Sequence, residues 1–249
     1  MEYKVLVETY EKLEKIPAKL EKTRILAELF SKTPDDDLPR VALLAQGIVF
    51  PKYTGYEPGI ATQMMIKAIA KATGFSEKDV ERKFKETGDL GTVAENFVAS
   101  RRQITLFVKK LTIEKVFQNL QKLAFVTGPG SQDRKLALVA ELLSFAEPKE
   151  AKYIVRTILG ELRIGIAEGI IRDAIAHAFL IKEGMSKEEK NEAIGAVDYA
   201  WNILSDFGEV IKIAKKEGVE GLKSVKVQLG KPIQVMLLIF RKYGRKMLF

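Results

Sequence analysis

The sequence predicts an all-α fold, a compact array of about ten to twelve short helices. Three observations carry that expectation. Apolar residues recur at three- and four-residue steps through most of the chain, the period of a helix with one buried face. Glycine, proline and capping residues interrupt this period repeatedly. The strand-like alternation Val225-Lys-Val-Gln-Leu229 is confined to five residues near the end. No fixed repeat period is present, which disfavours a solenoid.

Taken in order, Val5, Leu6, Tyr10, Leu13, Ile16, Leu20, Ile25, Leu26 and Leu29 give residues 3–32 helical spacing, and Pro17 divides them into two helices. Ser31-Lys-Thr-Pro34 stops the second, and Asp35-Asp-Asp37 caps a helix over 38–49. A loop rich in Gly, Pro and Tyr covers Pro51 to Gly59. A short amphipathic helix, Ala61–Thr73, ends at Gly74, and Ser76-Glu-Lys-Asp79 opens 77–87. After the turn Thr87-Gly-Asp-Leu-Gly91 comes a helix near 92–99, then an extended or loop segment over 100–110. Thr112 starts a helix to about 126, followed by helices near 132–145, 148–159 and 167–182. Ser186-Lys-Glu-Glu189 is a capping box for a helix to about 204. Asp206–Glu217 and the short Val219–Lys223 close the series.

The composition is that of a soluble globular protein: of 249 residues, 47% are hydrophobic and 30% charged. Lys and Arg outnumber Asp and Glu by 41 to 33, a net charge of +8 that favours polyanionic partners. There is no Cys, which removes disulfides and thiol chemistry. The single His, His177, lies in a helical run and reads as a packed or partly exposed helix residue rather than a ligand, so no metal site is expected. No apolar run reaches membrane-spanning length and the start has no signal-peptide pattern, so a cytoplasmic location without membrane partners is expected. Abundant Lys and Glu without Cys fits a thermophilic source.

The search for catalytic residues yields none. Gly218-Val-Glu-Gly-Leu-Lys-Ser224 has the wrong spacing for a phosphate loop, and Ser205-Asp-Phe-Gly208 lacks the other kinase motifs and reads as a helix cap. Glu8, Glu14 and Glu95 lie among lysines and read as solvated faces. Two basic, glycine-broken segments stand out instead. In Thr127-Gly-Pro-Gly-Ser-Gln-Asp-Arg-Lys135, Ser131 is a suitable N-cap, and Arg134 and Lys135 in the following turn can reach a phosphate. In Gly160-Glu-Leu-Arg-Ile-Gly-Ile-Ala-Glu-Gly169, Gly160 ends a helix, Arg163 projects, and Gly165 permits close approach of a backbone. The plain alternative for either segment is a helix connector.

The second of these segments, preceded by Glu150-Ala-Lys-Tyr-Ile-Val-Arg156, resembles the signature stretch in the N-terminal DNA-binding domain of ATP-dependent DNA ligases of the archaeal and eukaryotic type. Thr87-Gly-Asp-Leu-Gly-Thr-Val-Ala-Glu-Asn96 and the 127–135 loop are similar to two further family segments in order and spacing, and Tyr10–Leu20 to its opening helix. The resemblance covers roughly 3–236. Gly230-Lys-Pro-Ile-Gln-Val-Met-Leu237 is similar to the junction where the adenylation domain begins in that family. The division implied is a helical DNA-binding domain over 1–224, then a junction with an atypical basic tail over 225–249. The family's catalytic Lys-x-Asp-Gly motif is absent, since no Asp-Gly dipeptide occurs in the chain. By resemblance, this is a ligase chain truncated before the adenylation domain. No autonomous ligation is expected of it, and ATP and magnesium would belong to catalytic domains it does not carry.

What the resemblance implies is sequence-independent binding of nicked or intact duplex DNA on the minor-groove side, in replication, repair and recombination. The implied contacts are Gly160, Arg163, Gly165 and Ala167, with Ser131, Arg134 and Lys135 from the second loop and Lys19 from the opening helix pair. Gln103-Ile-Thr-Leu-Phe107 resembles the clamp-binding peptide of archaeal replication proteins, with Leu106 and Phe107 as an apolar plug and Gln103 hydrogen-bonding beside it. A sliding clamp is therefore an expected second partner. The alternatives are a fragment that complements a separate adenylation module, and an all-α interaction module without DNA affinity.

Overall fold

The computed structural model describes residues 1–101, 110–227 and 231–233. Among these the chain forms twelve α-helices: α1 (Tyr3–Lys15), α2 (Lys19–Lys32), α3 (Leu38–Leu44), α4 (Thr62–Thr73), α5 (Glu77–Thr87), α6 (Leu90–Ala99), α7 (Ile113–Phe125), α8 (Ser131–Phe145), α9 (Pro148–Ile158), α10 (Glu168–Phe179), α11 (Lys187–Leu204) and α12 (Phe207–Lys223). A 3-10 turn lies at Lys52–Thr54, and an isolated bridge pairs Glu2 with Thr112. The all-α expectation holds. Local chemistry explains most boundaries. Ile16, before Pro17, is extended and ends α1. The Thr112 hydroxyl accepts from the Lys115 N–H, Asp206 accepts from Gly208 and Glu209, and Ser186 with Glu189 forms a full capping box.

The chain divides into two compact units. The first comprises Met1–Pro17, Leu43–Phe50 and Tyr56–Ile166. In it α6 packs on α9, α4 on α8, α5 and α6, α1 on α9, and α7 on α8. α1 contributes the buried stripe Tyr3, Leu6, Val7, Tyr10 and Leu13, and the Tyr10 hydroxyl donates to the Leu44 carbonyl at 2.7 Å. α9 is buried along most of its length, from Glu150 to Ile158. At Gly91 the contact between α6 and α9 is tight. A Cβ there would lie 2.6 Å from Arg156 Cγ and 2.8 Å from the Lys152 carbonyl oxygen.

The second unit comprises Ala18–Ala42, Pro51–Gly55 and the described residues from Ala167 onward. Here α2 packs on α10, and α10, α11 and α12 pack on one another. Arg172 on α10 pairs with Asp198 on α11 at 3.0 Å. Gly218, at φ 66° and ψ −155°, kinks α12, so the two short helices expected over 206–223 are joined through one bend.

One expectation is corrected, at α3. The helix over 38–49 stops at Leu44, because the Gly47 N–H returns to the Leu44 carbonyl and the chain turns there, although the apolar spacing continues through Ile48 and Val49. Of the strand-like run 225–229, Val225 to Val227 form no strand, and the remainder lies outside the described residues.

Candidate functional site

The segment from Gly160 to Ala167 is built by two local devices. The first is the end of α9. Gly160 adopts φ +70°, its N–H donates to Thr157, and the Glu161 N–H reaches back to the Arg156 carbonyl at 2.7 Å. This pairing closes the last turn and needs a left-handed residue, which glycine supplies without a Cβ clash. The second device is alternation. Leu162 and Ile164 are buried, while Glu161, Arg163, Gly165 and Ala167 are exposed. The apolar pair anchors the segment to the first unit, Leu162 lying against Gly47, and turns its polar residues outward.

Arg163 itself sits at φ 56°, a left-handed backbone that a branched or long side chain rarely adopts. Its guanidinium pairs with Glu161 at 2.6 Å, an exposed pair that water screens. Gly165 is also left-handed, at φ 65°. Ala167 is the N-cap of α10 and contributes no side-chain cap. It belongs to the second unit, as does Lys19, the exposed first residue of α2. α2 and α10 pack together in that unit.

The 127–135 loop departs from expectation in two respects. The N-cap of α8 is Gly130, in a left-handed conformation, and Ser131 is the first helical residue. Ser131 cannot cap from inside the helix; its N–H donates to Gly128, closing the turn. Lys135 points across the unit to the carbonyls of Pro58 and Gly59, at 2.9 and 3.4 Å, and so ties down the 56–59 loop. Arg134 remains exposed, with one guanidinium nitrogen on the Thr127 carbonyl at 2.7 Å. A guanidinium carries five donors, so this contact leaves capacity for a phosphate. Gln103, Leu106 and Phe107 lie outside the described residues.

A charged cluster absent from the sequence-based site stands at the centre of the first unit. Arg156 on α9 donates to Asp89 through Nε at 3.2 Å and Nη2 at 2.6 Å, and to Glu14 through Nη1 at 3.1 Å. Asp89 also caps α6, accepting from the Gly91 N–H and the Thr92 hydroxyl. Glu14 accepts from the Tyr153 hydroxyl at 2.7 Å and the Lys152 ammonium at 3.0 Å. Burial alone would raise the Glu14 carboxyl, but the hydrogen bonds from Tyr153, Lys152 and Arg156 override it and hold the carboxyl at about 2. Asp89 behaves likewise: burial raises it, and the bonds from Arg156 and Thr92 bring it well below the ordinary range. Glu14 lies on the exposed surface, as its sequence context indicates, yet is tied to α9 by three donors that the sequence did not announce. Asp89, Gly91 and Thr92 of the segment 87–96 meet Lys152, Tyr153 and Arg156 of 150–156 at this junction, where Arg156 is only 7% exposed.

Among the described residues no group of three or more His, Cys, Asp or Glu side chains is arranged to hold a metal, and no helix is long and apolar enough to cross a membrane. A family model described as DNA ligase N terminus matches residues 2–176. The chain is 46% identical over 239 residues to the DNA ligase of Nanoarchaeum equitans, 43% over 237 residues to that of Thermococcus onnurineus, and 40% over 246 residues to that of Saccharolobus shibatae. These alignments take in 95 to 96% of this chain and 39 to 40% of the relatives, so the chain spans about two fifths of their length.

Proposed function

Because the chain belongs to the DNA ligase N-terminus family, we propose that it grips duplex DNA, nicked or intact, by its sugar–phosphate backbone and without reading base sequence. The observation that carries this reading is the Gly160–Ala167 segment. Its buried Leu162 and Ile164 hold an exposed arginine and an exposed glycine in fixed left-handed conformations. A pre-set cation beside backbone with no side chain in the way suits a phosphate, whose position varies little with sequence. Arg134, exposed on its own turn, is a second phosphate ligand of the first unit on this reading; in the second unit, taken by itself, exposed Lys19 and Ala167 are the proposed contacts. Lys135 contributes by holding the 56–59 loop.

The chain carries no Lys-x-Asp-Gly motif, so the proposed role is binding and does not extend to nick sealing. The test is binding to labelled nicked duplex, intact duplex and single strands across a salt series. With about four to six phosphates engaged, log K falls against log salt with a slope of roughly −4 to −5. Duplex affinity that is absent at low salt, or unchanged in Arg163→Ala and Arg134→Ala together, overturns the proposal.

A further inference from the structure

Two glycine turns of the first unit meet each other. In the turn over residues 43–48, the Gly47 N–H donates to the Leu44 carbonyl at 2.8 Å and the Ile48 N–H to the Leu43 carbonyl at 3.2 Å, with Gly47 at φ +74°. The Gly160 and Glu161 N–H groups return to the Thr157 and Arg156 carbonyls in the same pattern. The turns touch where Gly47 lies against Leu162. A Cβ on Gly47 would lie 3.1 Å from Leu162 Cβ and 3.4 Å from its Cδ2. The shorter distance decides what a side chain at 47 would do. A crowded Cδ can swing to another rotamer, but Cβ is one bond from the backbone and moves only with it. The next residue along that backbone is Arg163.

The turn against Leu162 is itself held from two helices. The Leu44 carbonyl accepts from the Tyr10 hydroxyl of α1 at 2.7 Å as well as from Gly47. The Gln121 amide of α7 donates to the carbonyl of buried Val49 at 3.0 Å. With that side fixed, the displacement caused by a methyl at 47 falls on the segment opposite, where Leu162 is seated and Arg163 follows. We infer that Gly47 is a positioning residue for the phosphate grip. Its bare α-carbon sets the depth at which Leu162 seats, and so the place where the Arg163 guanidinium and the Gly165 backbone stand to meet a phosphate. This inference rests on the proposed duplex binding. It extends the grip to a residue that never touches DNA and lies far earlier in the chain.

The experiment is anisotropy titration of a labelled nicked duplex with the full chain and its variants over a salt series, at a temperature where circular dichroism shows each folded. Arg163→Ala is expected to lower affinity by about tenfold and to reduce the salt slope by about one. Gly47→Ala is expected to do the same. The double variant should bind no more weakly than Arg163→Ala alone, because both changes remove one contact. Gly74→Ala is the control: Gly74 is equally left-handed at φ +76°, but an added Cβ meets nothing within 4 Å, so it should keep wild-type affinity and slope. Leu162→Ala reaches the seat from the other side and should reduce the slope with Gly47 in place, which decides the matter if Gly47→Ala does not fold. Wild-type affinity and slope in Gly47→Ala, or in Leu162→Ala where Gly47→Ala is unfolded, overturns the positioning role while Arg163→Ala still reports the grip. Equal losses in Gly74→Ala and Gly47→Ala also overturn it, since backbone strain then accounts for both. A wild-type chain without duplex affinity at low salt removes the grip and the positioning role together.

Discussion

Replacing Arg156 with methionine separates an internal role from a DNA-binding one at a residue that lies within the ligase-like signature stretch. The substitution keeps much of the aliphatic stem and deletes the guanidinium. Four hydrogen bonds go with it: Asp89 loses Nε, shared between its two oxygens at 3.4 and 3.2 Å, and Nη2 at 2.6 Å, and Glu14 loses Nη1 at 3.1 Å. Glu14 keeps Tyr153 and Lys152, so most of the cost falls on Asp89, whose side chain is 10% exposed and retains only the Gly91 and Thr92 donors. Removing one partner of such a buried pair costs about 3–5 kcal/mol. For a chain of this size that lowers the midpoint of thermal unfolding by about 6–20 °C. The assay is thermal and urea unfolding, with duplex affinity measured at a temperature where both proteins are folded. Affinity is expected to stay within about twofold of wild type. A stability loss below about 1 kcal/mol, or intact stability with lost DNA affinity, refutes the internal assignment.

Four further outcomes are expected. Gly91→Ala forces a methyl to within 2.8 Å of the Lys152 carbonyl and should destabilise the first unit by about 1–3 kcal/mol, read by urea unfolding. Arg163→Gly relieves a left-handed backbone and should raise stability by about 1 kcal/mol while weakening duplex binding, opposite signs that a mere connector would not give. The depressed Glu14 and Asp89 carboxyls stabilise the fold above their ordinary range, so stability should fall from pH 4.5 towards pH 2, where Glu14 takes up its proton. In Arg156→Met that acid dependence should flatten, a difference visible in unfolding midpoints measured across the same pH range. Leu106→Ala with Phe107→Ala should abolish binding to an archaeal sliding clamp in a pull-down and leave duplex affinity unchanged, as the proposed clamp peptide requires.

Much of the helix pattern was legible because its signals are local. Pro17, Thr112, Ser186 and Asp206 each act within four residues of themselves, and each bounds a helix as the sequence indicates. What escaped depends on distance. Nothing near Glu14 announces that its partners are Tyr153, Lys152 and Arg156, so a glutamate among lysines reads as solvated. The same limit applies to Lys135, whose acceptors lie more than seventy residues earlier in the chain. Ser131 fell one residue inside its helix because the left-handed Gly130 occupies the cap. At the candidate site the alternation of Leu162 and Ile164 with Arg163 and Gly165 was present in the sequence. Only their burial shows that it anchors one side of the segment and frees the other.

The Arg156 junction also bears on how the chain is made. Glu14, Asp89 and Arg156 come from the first, sixth and ninth helices, so the contact closes loops of 67 and 142 residues. During synthesis the two carboxylates emerge long before the guanidinium that pairs them. Until α9 leaves the ribosome, α6 can pack on α4 and α5, but α1 and α6 both lack the helix that each packs on in the finished unit. Completion of the first unit is thereby timed to the arrival of the residues directly preceding Gly160, so the segment proposed to hold DNA becomes ordered in the same event that makes the unit stable.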